Sequence, residues 1–251
     1  MDLTTISALE YSLVKTTKVL NHGFSDYIVP VQMGLEQLNS MLKVDSVDLG
    51  ESQIVIREGE AIGVALIAKR GWNCRLAGMA IAPSARGQGV GRFLLKKVID
   101  DARGRGDRQM VLEVIEENSP AVSLYKNTGF RHIRKLVSYI LDKPGGKQKP
   151  IEEIDLCVLG RLISAHGMPD LPWQISGETL SQMGPPMRAF RFKGCLTAIT
   201  DPDAETIVFR SLLMMPDAAQ EGYGVDFLEA LFAKYPGKTW RVPAIFPEEF
   251  G

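Results

Sequence analysis

Ala82-Pro83-Ser84-Ala85-Arg86-Gly87-Gln88-Gly89-Val90-Gly91-Arg92 lies between an apolar, strand-like stretch and an amphipathic one, and reads as a strand end feeding a helix through a glycine-rich turn. Glycines let backbone approach an anion closely. The first N–H groups of a helix have no intrahelical partner, so with the helix dipole such a turn favours phosphate. Two common phosphate motifs do not fit. The dinucleotide pattern Gly-x-Gly-x-x-Gly closes in no frame, since Arg92 follows Gly91, and the Gly-Lys-Ser/Thr of nucleotide hydrolases is absent. What remains is Arg86-x-x-Gly89-x-Gly91 behind Pro83.

The next residues extend the pattern. From 90 to 101 the apolar Val90, Phe93, Leu94, Val98 and Ile99 keep helical spacing, with Arg92, Lys96, Lys97, Asp100 and Asp101 opposite, and Gly104 and Gly106 end the helix. Residues 110–115, Met-Val-Leu-Glu-Val-Ile, form a short run of strand character that contains Glu113. Ser119 and Pro120 then suit an N-cap and first turn, and Gly129 a helix stop. The loop, the Leu112-Glu113-Val114 strand and Asn118-x-x-Ala121-x-x-Leu124-Tyr125-x-x-x-Gly129-Phe130 together resemble the GNAT N-acetyltransferase family.

That resemblance covers most of residues 1–142. It implies an α/β fold with a mixed sheet (the GNAT N-acyltransferase fold), acetyl-coenzyme A as cofactor, and transfer of the acetyl group to a primary amine by direct attack in a ternary complex. By the same resemblance, free backbone groups of Ala80 and Ile81 meet the pantetheine arm. Gly87, Gln88, Gly89, Val90, Gly91 and Arg92 cradle the pyrophosphate, with Arg86 at the head of the motif, and the Asn118 side chain touches the cofactor arm. Glu113 matches a general base and Tyr125 a phenol near the thioester sulfur.

The chemistry explains these residue types. An alkylamine near neutral pH is mostly protonated and attacks a thioester only when neutral, so a carboxylate has to take a proton directly or through water. A departing thiolate leaves more easily when a phenol protonates it, and backbone amides can steady the oxyanion. Each residue also has a plain structural alternative: a solvent-facing strand carboxylate for Glu113, a core aromatic for Tyr125, a turn residue for Asn118 and a surface charge for Arg86.

Composition bounds the rest. The chain has 251 residues, 29 Lys plus Arg and 30 Asp plus Glu, for a formal charge of −1, so nothing points to nucleic acid or an anionic membrane. The start, Met1-Asp2-Leu3-Thr4-Thr5, is neither basic nor apolar, and no apolar stretch is long enough to cross a bilayer. Cys74, Cys157 and Cys195 suggest thiols in a reducing compartment, and His22, His132 and His166 show no metal spacing. The expectation is a cytoplasmic protein without metal, acting on a small-molecule or peptide amine; a homodimer is compatible with the fold.

The coarse reading places helices over 8–20 and 35–42, strands over 53–57, 61–69 and 74–81, and a last strand over 132–141. The polar, breaker-rich 143–150 is then a linker between a catalytic domain, 1–142, and a second domain, 151–251. The second half echoes the first in order. His22-Gly23-x-x-Asp26 has a counterpart in His166-Gly167-x-x-Asp170, and Glu36-x-Leu38 in Glu178-x-Leu180. Pro83 with Gly89-x-Gly91 is echoed by Pro216 with Gly222-x-Gly224, after the apolar strand 207–214. Ala219 and Glu221 stand where the first copy has Arg86 and Gln88, and a carboxylate there repels pyrophosphate. After the strand-like 239–245 nothing matches the 118–125 segment. The second domain is therefore expected to be a degenerate, truncated copy without chemistry, buttressing the first or walling its acceptor cleft; an unrelated α/β appendage is the alternative. The functional alternatives are a non-catalytic acyl-coenzyme A sensor and a transferase of longer acyl groups.

Overall fold

Four antiparallel strands followed, after a helix, by a fifth parallel one occur twice in the computed structural model, which describes residues 2–250. The first set lies in the unit Met1–His132 and the second in the unit Ile133–Gly251. In the first unit β1 (Thr4–Ser7), β2 (Val47–Arg57), β3 (Glu60–Arg70) and β4 (Asn73–Ile81) pair antiparallel in that order, and β5 (Gln109–Val111) joins β4 in parallel. Helices α1 (Leu13–Gly23) and α2 (Leu35–Val44) fall between β1 and β2, α3 (Val90–Arg105) between β4 and β5, and α4 (Ser119–Asn127) follows.

The sequence explains this sheet. Residues 62–68 of β3 are uninterruptedly buried because α1 packs on β3 and β4 while α3 packs on β2 and β3, and a strand covered on both faces reads as a continuous apolar run. On α3, Val90, Leu94, Val98 and Ala102 recur every fourth residue and are buried with Leu95, each large side chain contributing about 1.5–3 kcal/mol. Phe93, expected on that stripe, is 37% exposed, and Leu95 takes the core place instead. The helix expected over 8–20 starts later: a 3₁₀ turn occupies Ala8–Glu10, and α1 begins after the extended Ser12. The β-branched Thr4, Thr5 and Ile6 form the unforeseen β1, registered on Gln53 to Ile56.

In the second unit β7 (Glu152–Ile154), β8 (Arg188–Phe192), β9 (Cys195–Ile199) and β10 (Thr206–Met214) repeat the antiparallel order, and β11 (Thr239–Pro247) is parallel to β10. Helices α5 (Leu156–His166) and α6 (Gly177–Ser181) occupy the places of α1 and α2, and α7 (Pro216–Gln220) with α8 (Tyr223–Lys234) that of the turn and α3. The sequence echoes fall on equivalent elements: His22 and His166 sit near the ends of α1 and α5, and Leu38 and Leu180 are fully buried on α2 and α6. Phe190, Phe227 and Trp240 fill the core of this unit.

Two boundaries differ from the sequence reading. The strand expected to close the first domain, β6 (Leu136–Asp142), pairs antiparallel with β11 and completes a six-stranded sheet in the second unit. The compositional break at 143–150 therefore lies inside that unit. It is held there by ion pairs of Lys147 with Glu229 and of Lys149 with Asp226 on α8, and by Gly146, where a Cβ would stand 2.2 Å from the Glu229 carbonyl. The second sheet is thus completed on its β11 side, where truncation was expected. Pro243 is tolerated in β11 because the ladder to β6 shifts register between Val242 and Phe246, and Pro247 because it is the strand's last residue.

Candidate functional site

The 86–92 loop is built by its glycines. Gly87 and Gly89 have φ of +71° and +81°, a region other residues enter at a cost, and open space surrounds the position of an added Cβ at both. The left-handed Gly89 is the N-cap of α3, so Val90, Gly91 and Arg92 present the helix's first N–H groups. The amides of Gly87, Gln88 and Gly89 donate to no protein acceptor among the described residues. This set of open amides at a helix start fits an anionic, pyrophosphate-bearing group. Gly91 does different work: a Cβ there would lie 3.3 Å from Leu124 and 3.7 Å from Met79, so its lack of a side chain lets α3 close on α4 and β4.

Beside the loop, β4 and β5 stay paired only from Asn73 with Gln109 to Arg75 with Val111 and then part. Ala80 and Ile81 lie on this splayed end of β4, their other edge bonded to β3 at Val64 and Gly63. The Ile81 carbonyl is not wholly open, since it accepts from Arg86 Nε at 3.1 Å.

Arg86 is occupied. Its Nη1 and Nη2 each donate to an Asp26 oxygen at 2.8 Å, and Nη2 also donates to the Gly23 carbonyl at 2.7 Å. The guanidinium beside Asp26 holds that carboxyl below its usual range. The sequence pattern put Arg86 with the cofactor; in the structure it fastens the end of α1 to the end of β4. Asn21 pins the same connection further along, exchanging hydrogen bonds with the Met33 backbone at 2.8 and 2.9 Å. Between these pins Ile28 and Val29 are half exposed, forming an apolar lip.

Glu113 lies just beyond β5, because the strand expected over 110–115 ends at Val111. It does not face solvent freely: Oε2 accepts from both Nε and Nη2 of Arg75 at 2.8 Å, and Arg75 is buried at 6% exposure. Arg75 was not foreseen, although a charged residue between Cys74 and Leu76 in an apolar strand signals a buried partner. Tyr125, on α4, packs its ring against the α3 core and edge-on to Phe130 at 5.8 Å. Burial pushes its hydroxyl up to about 12, and Tyr27 from the α1–α2 connection adds to the shift. The phenol is therefore protonated throughout the neutral range. Asn118, rather than Ser119, is the N-cap of α4, its Oδ1 accepting from the Ala121 amide at 3.3 Å.

In the second unit Gly222, at φ +68°, is likewise the N-cap of α8, with Ala219 and Glu221 ahead of it. Among the described residues no group of His, Cys, Asp and Glu could hold a metal ion, and no helix is long and apolar enough to cross a membrane. The thiols are unpaired, and burial pushes Cys74 up to about 12.

Residues 24–130 match the acetyltransferase (GNAT) family. Streptothricin acetyltransferase of Streptomyces lavendulae is 39% identical over 75 residues, which is 29% of this chain and 40% of that protein, so the chain spans well under half the length of this relative. A GCN5-related N-acetyltransferase structure from Sphaerobacter thermophilus superposes with a TM-score of 0.69 at 14% identity, covering 99% of this chain and 88% of the other. A tandem GNAT protein from the clavulanic acid biosynthesis pathway does so with a TM-score of 0.64 at 12% identity, covering 99% and 91%. At these identities the superpositions speak for the fold, which they share along the whole chain. With its glycine loop and splayed strands, the amino-terminal unit of this chain carries the segment, residues 24–130, that matches the acetyltransferase (GNAT) family.

Proposed function

We propose that the amino-terminal unit transfers the acetyl group of acetyl-coenzyme A to a primary amine, directly and without a covalent enzyme intermediate. The observation that carries this reading is the run of open amides from Gly87 to the first turn of α3, next to the parting of β4 and β5. When bound, the cofactor supplies an activated thioester carbonyl. The loop amides of Gly87 to Arg92 hold its pyrophosphate, and the free edge of β4 at Ala80 and Ile81 lines its arm, with Asn118 alongside at the start of α4. Glu113, its carboxylate aimed by Arg75, accepts the amine's proton directly or through water. Tyr125 returns a proton to the sulfur, and its burial keeps that proton in place.

The acceptor is a small-molecule or peptide amine that meets the lip of Tyr27, Ile28 and Val29. Ala219 and Glu221 argue that the second unit binds no coenzyme A. Free thiols support a reducing, cytoplasmic setting. The test is thiol release from acetyl-coenzyme A with a panel of amines: turnover with any member supports transfer. Cofactor binding without turnover across the whole panel points to a sensor, and no binding overturns the reading.

A further inference from the structure

We propose that Arg57 supplies the cationic contact to the pyrophosphate of coenzyme A at the 86–92 loop, the place the sequence pattern gives to Arg86. This inference rests on the cofactor reading above. Arg86 is spent on the protein itself: every nitrogen of its guanidinium donates to Ile81, Gly23 or Asp26, and its charge is matched by the Asp26 carboxylate. An anion reaching the loop therefore meets a neutralised pair at that position.

Arg57 is placed differently. It ends β2, at a hairpin that turns through Glu58 and Gly59 with φ of +53° and +82°. The turn sends its side chain to the middle of the loop, where Nη1 donates to Gln88 Oε1 at 2.8 Å. Gln88 is itself fixed, its Nε2 donating to the Ser84 carbonyl at 2.8 Å, so the guanidinium is held on the side chain of the residue that separates the two glycines with open amides. That single bond uses one of five donors. Neither Glu58 nor Glu60, its acidic neighbours, forms an ion pair with it, and no other carboxylate among the described residues does. A planar, always-charged fork with donors to spare, beside unpaired amides, is suited to bidentate contact with phosphate oxygens. Gln88 then acts as a positioning residue that aims Arg57, in addition to offering its own amide.

The test is titration calorimetry of the full chain with coenzyme A and with dephospho-coenzyme A, on the parent, Arg57→Gln and Arg86→Gln, at low and high salt, together with melting temperatures. Arg57→Gln should keep the parent melting temperature, weaken both ligands about tenfold at low salt, and lose much of the salt dependence. Arg86→Gln should lower the melting temperature while its salt dependence stays near that of the parent. Affinity within twofold of the parent in folded Arg57→Gln would overturn the assignment. So would a loss confined to coenzyme A, which would place Arg57 on the 3′-phosphate. If the parent binds neither ligand, the cofactor reading itself falls, and this inference with it.

Discussion

Removing Glu113 should harm stability before it harms chemistry, because its partner is more deeply buried than it is. Arg75 has 7% of its side-chain surface exposed and Glu113 20%, and two guanidinium nitrogens converge on one carboxylate oxygen at 2.8 Å. Glu113→Ala leaves a cation in the sheet without its carboxylate. Breaking a buried pair from one side costs about 3–5 kcal/mol, and the partial exposure of Glu113 places this case near the lower end, about 3 kcal/mol. For a unit of this size that lowers the melting temperature by about 10 °C. Glu113→Gln keeps an oxygen for Arg75, so its stability loss should be smaller, yet turnover should fall about 10²–10⁴-fold if the carboxylate takes the amine's proton. The double variant Arg75→Met, Glu113→Leu removes both charges and should recover most of the stability lost in Glu113→Ala while remaining inactive. Calorimetric melting of the four proteins beside thiol-release rates separates the two roles. A melting temperature for Glu113→Ala equal to the parent's would refute the structural argument, and full turnover in Glu113→Gln would remove Glu113 from the proton path.

Tyr125→Phe should lower turnover about 10²-fold or more with coenzyme A affinity retained, read from steady-state rates beside calorimetry. The same variant has a signature in stability. Because burial pushes Tyr125 from its ordinary 10.0 up to about 12, the neutral phenol stabilises the fold fully below pH 10; that contribution is lost as pH rises towards 12, so Tyr125→Phe should flatten this part of the urea-midpoint profile. Gly89→Ala, at φ +81°, should cost about 1–2 kcal/mol of stability measured in denaturant, and Gly89→Glu should abolish coenzyme A binding by adding bulk and negative charge at the open amides. Calorimetric stoichiometry should be one coenzyme A per chain, and a second equivalent would show that Ala219 and Glu221 do not disable the second loop.

The glycine-rich turn was legible because its instructions are local: glycines at positive φ and a helix start are written in consecutive residues. The duplication was legible for the same reason, as short marks in a repeated order. What escaped depends on partners far apart in sequence. Nothing near Arg86 announces that Asp26, 60 residues earlier, would occupy it, and nothing near Gln88 points to Arg57. Composition also misled at 143–150, where prolines, glycines and lysines read as a free linker although two of those lysines pair with α8. The extent of β5 was overread because Leu112 to Ile115 have strand-like side chains; there the backbone turns away from β4, and tertiary context overrides propensity.

The pairing of β6 with β11 bears on how this chain is born. Asp142 and Thr239, hydrogen-bonded side chain to side chain, are separated by 97 residues. At a synthesis rate of about 5–20 residues per second, β6 waits roughly 5–20 s for its neighbour to be made. During that interval Tyr139, Ile140 and Leu141, each about half exposed or more even in the finished fold, stand on a strand with neither edge paired. The amino-terminal unit needs nothing beyond His132 for its own sheet and is free to fold meanwhile. Slow or stalled translation between 142 and 239 should therefore raise aggregation without touching the glycine loop, and a cut placed at the compositional break would leave β6 in that orphaned state permanently, whereas a cut after residue 132 would not.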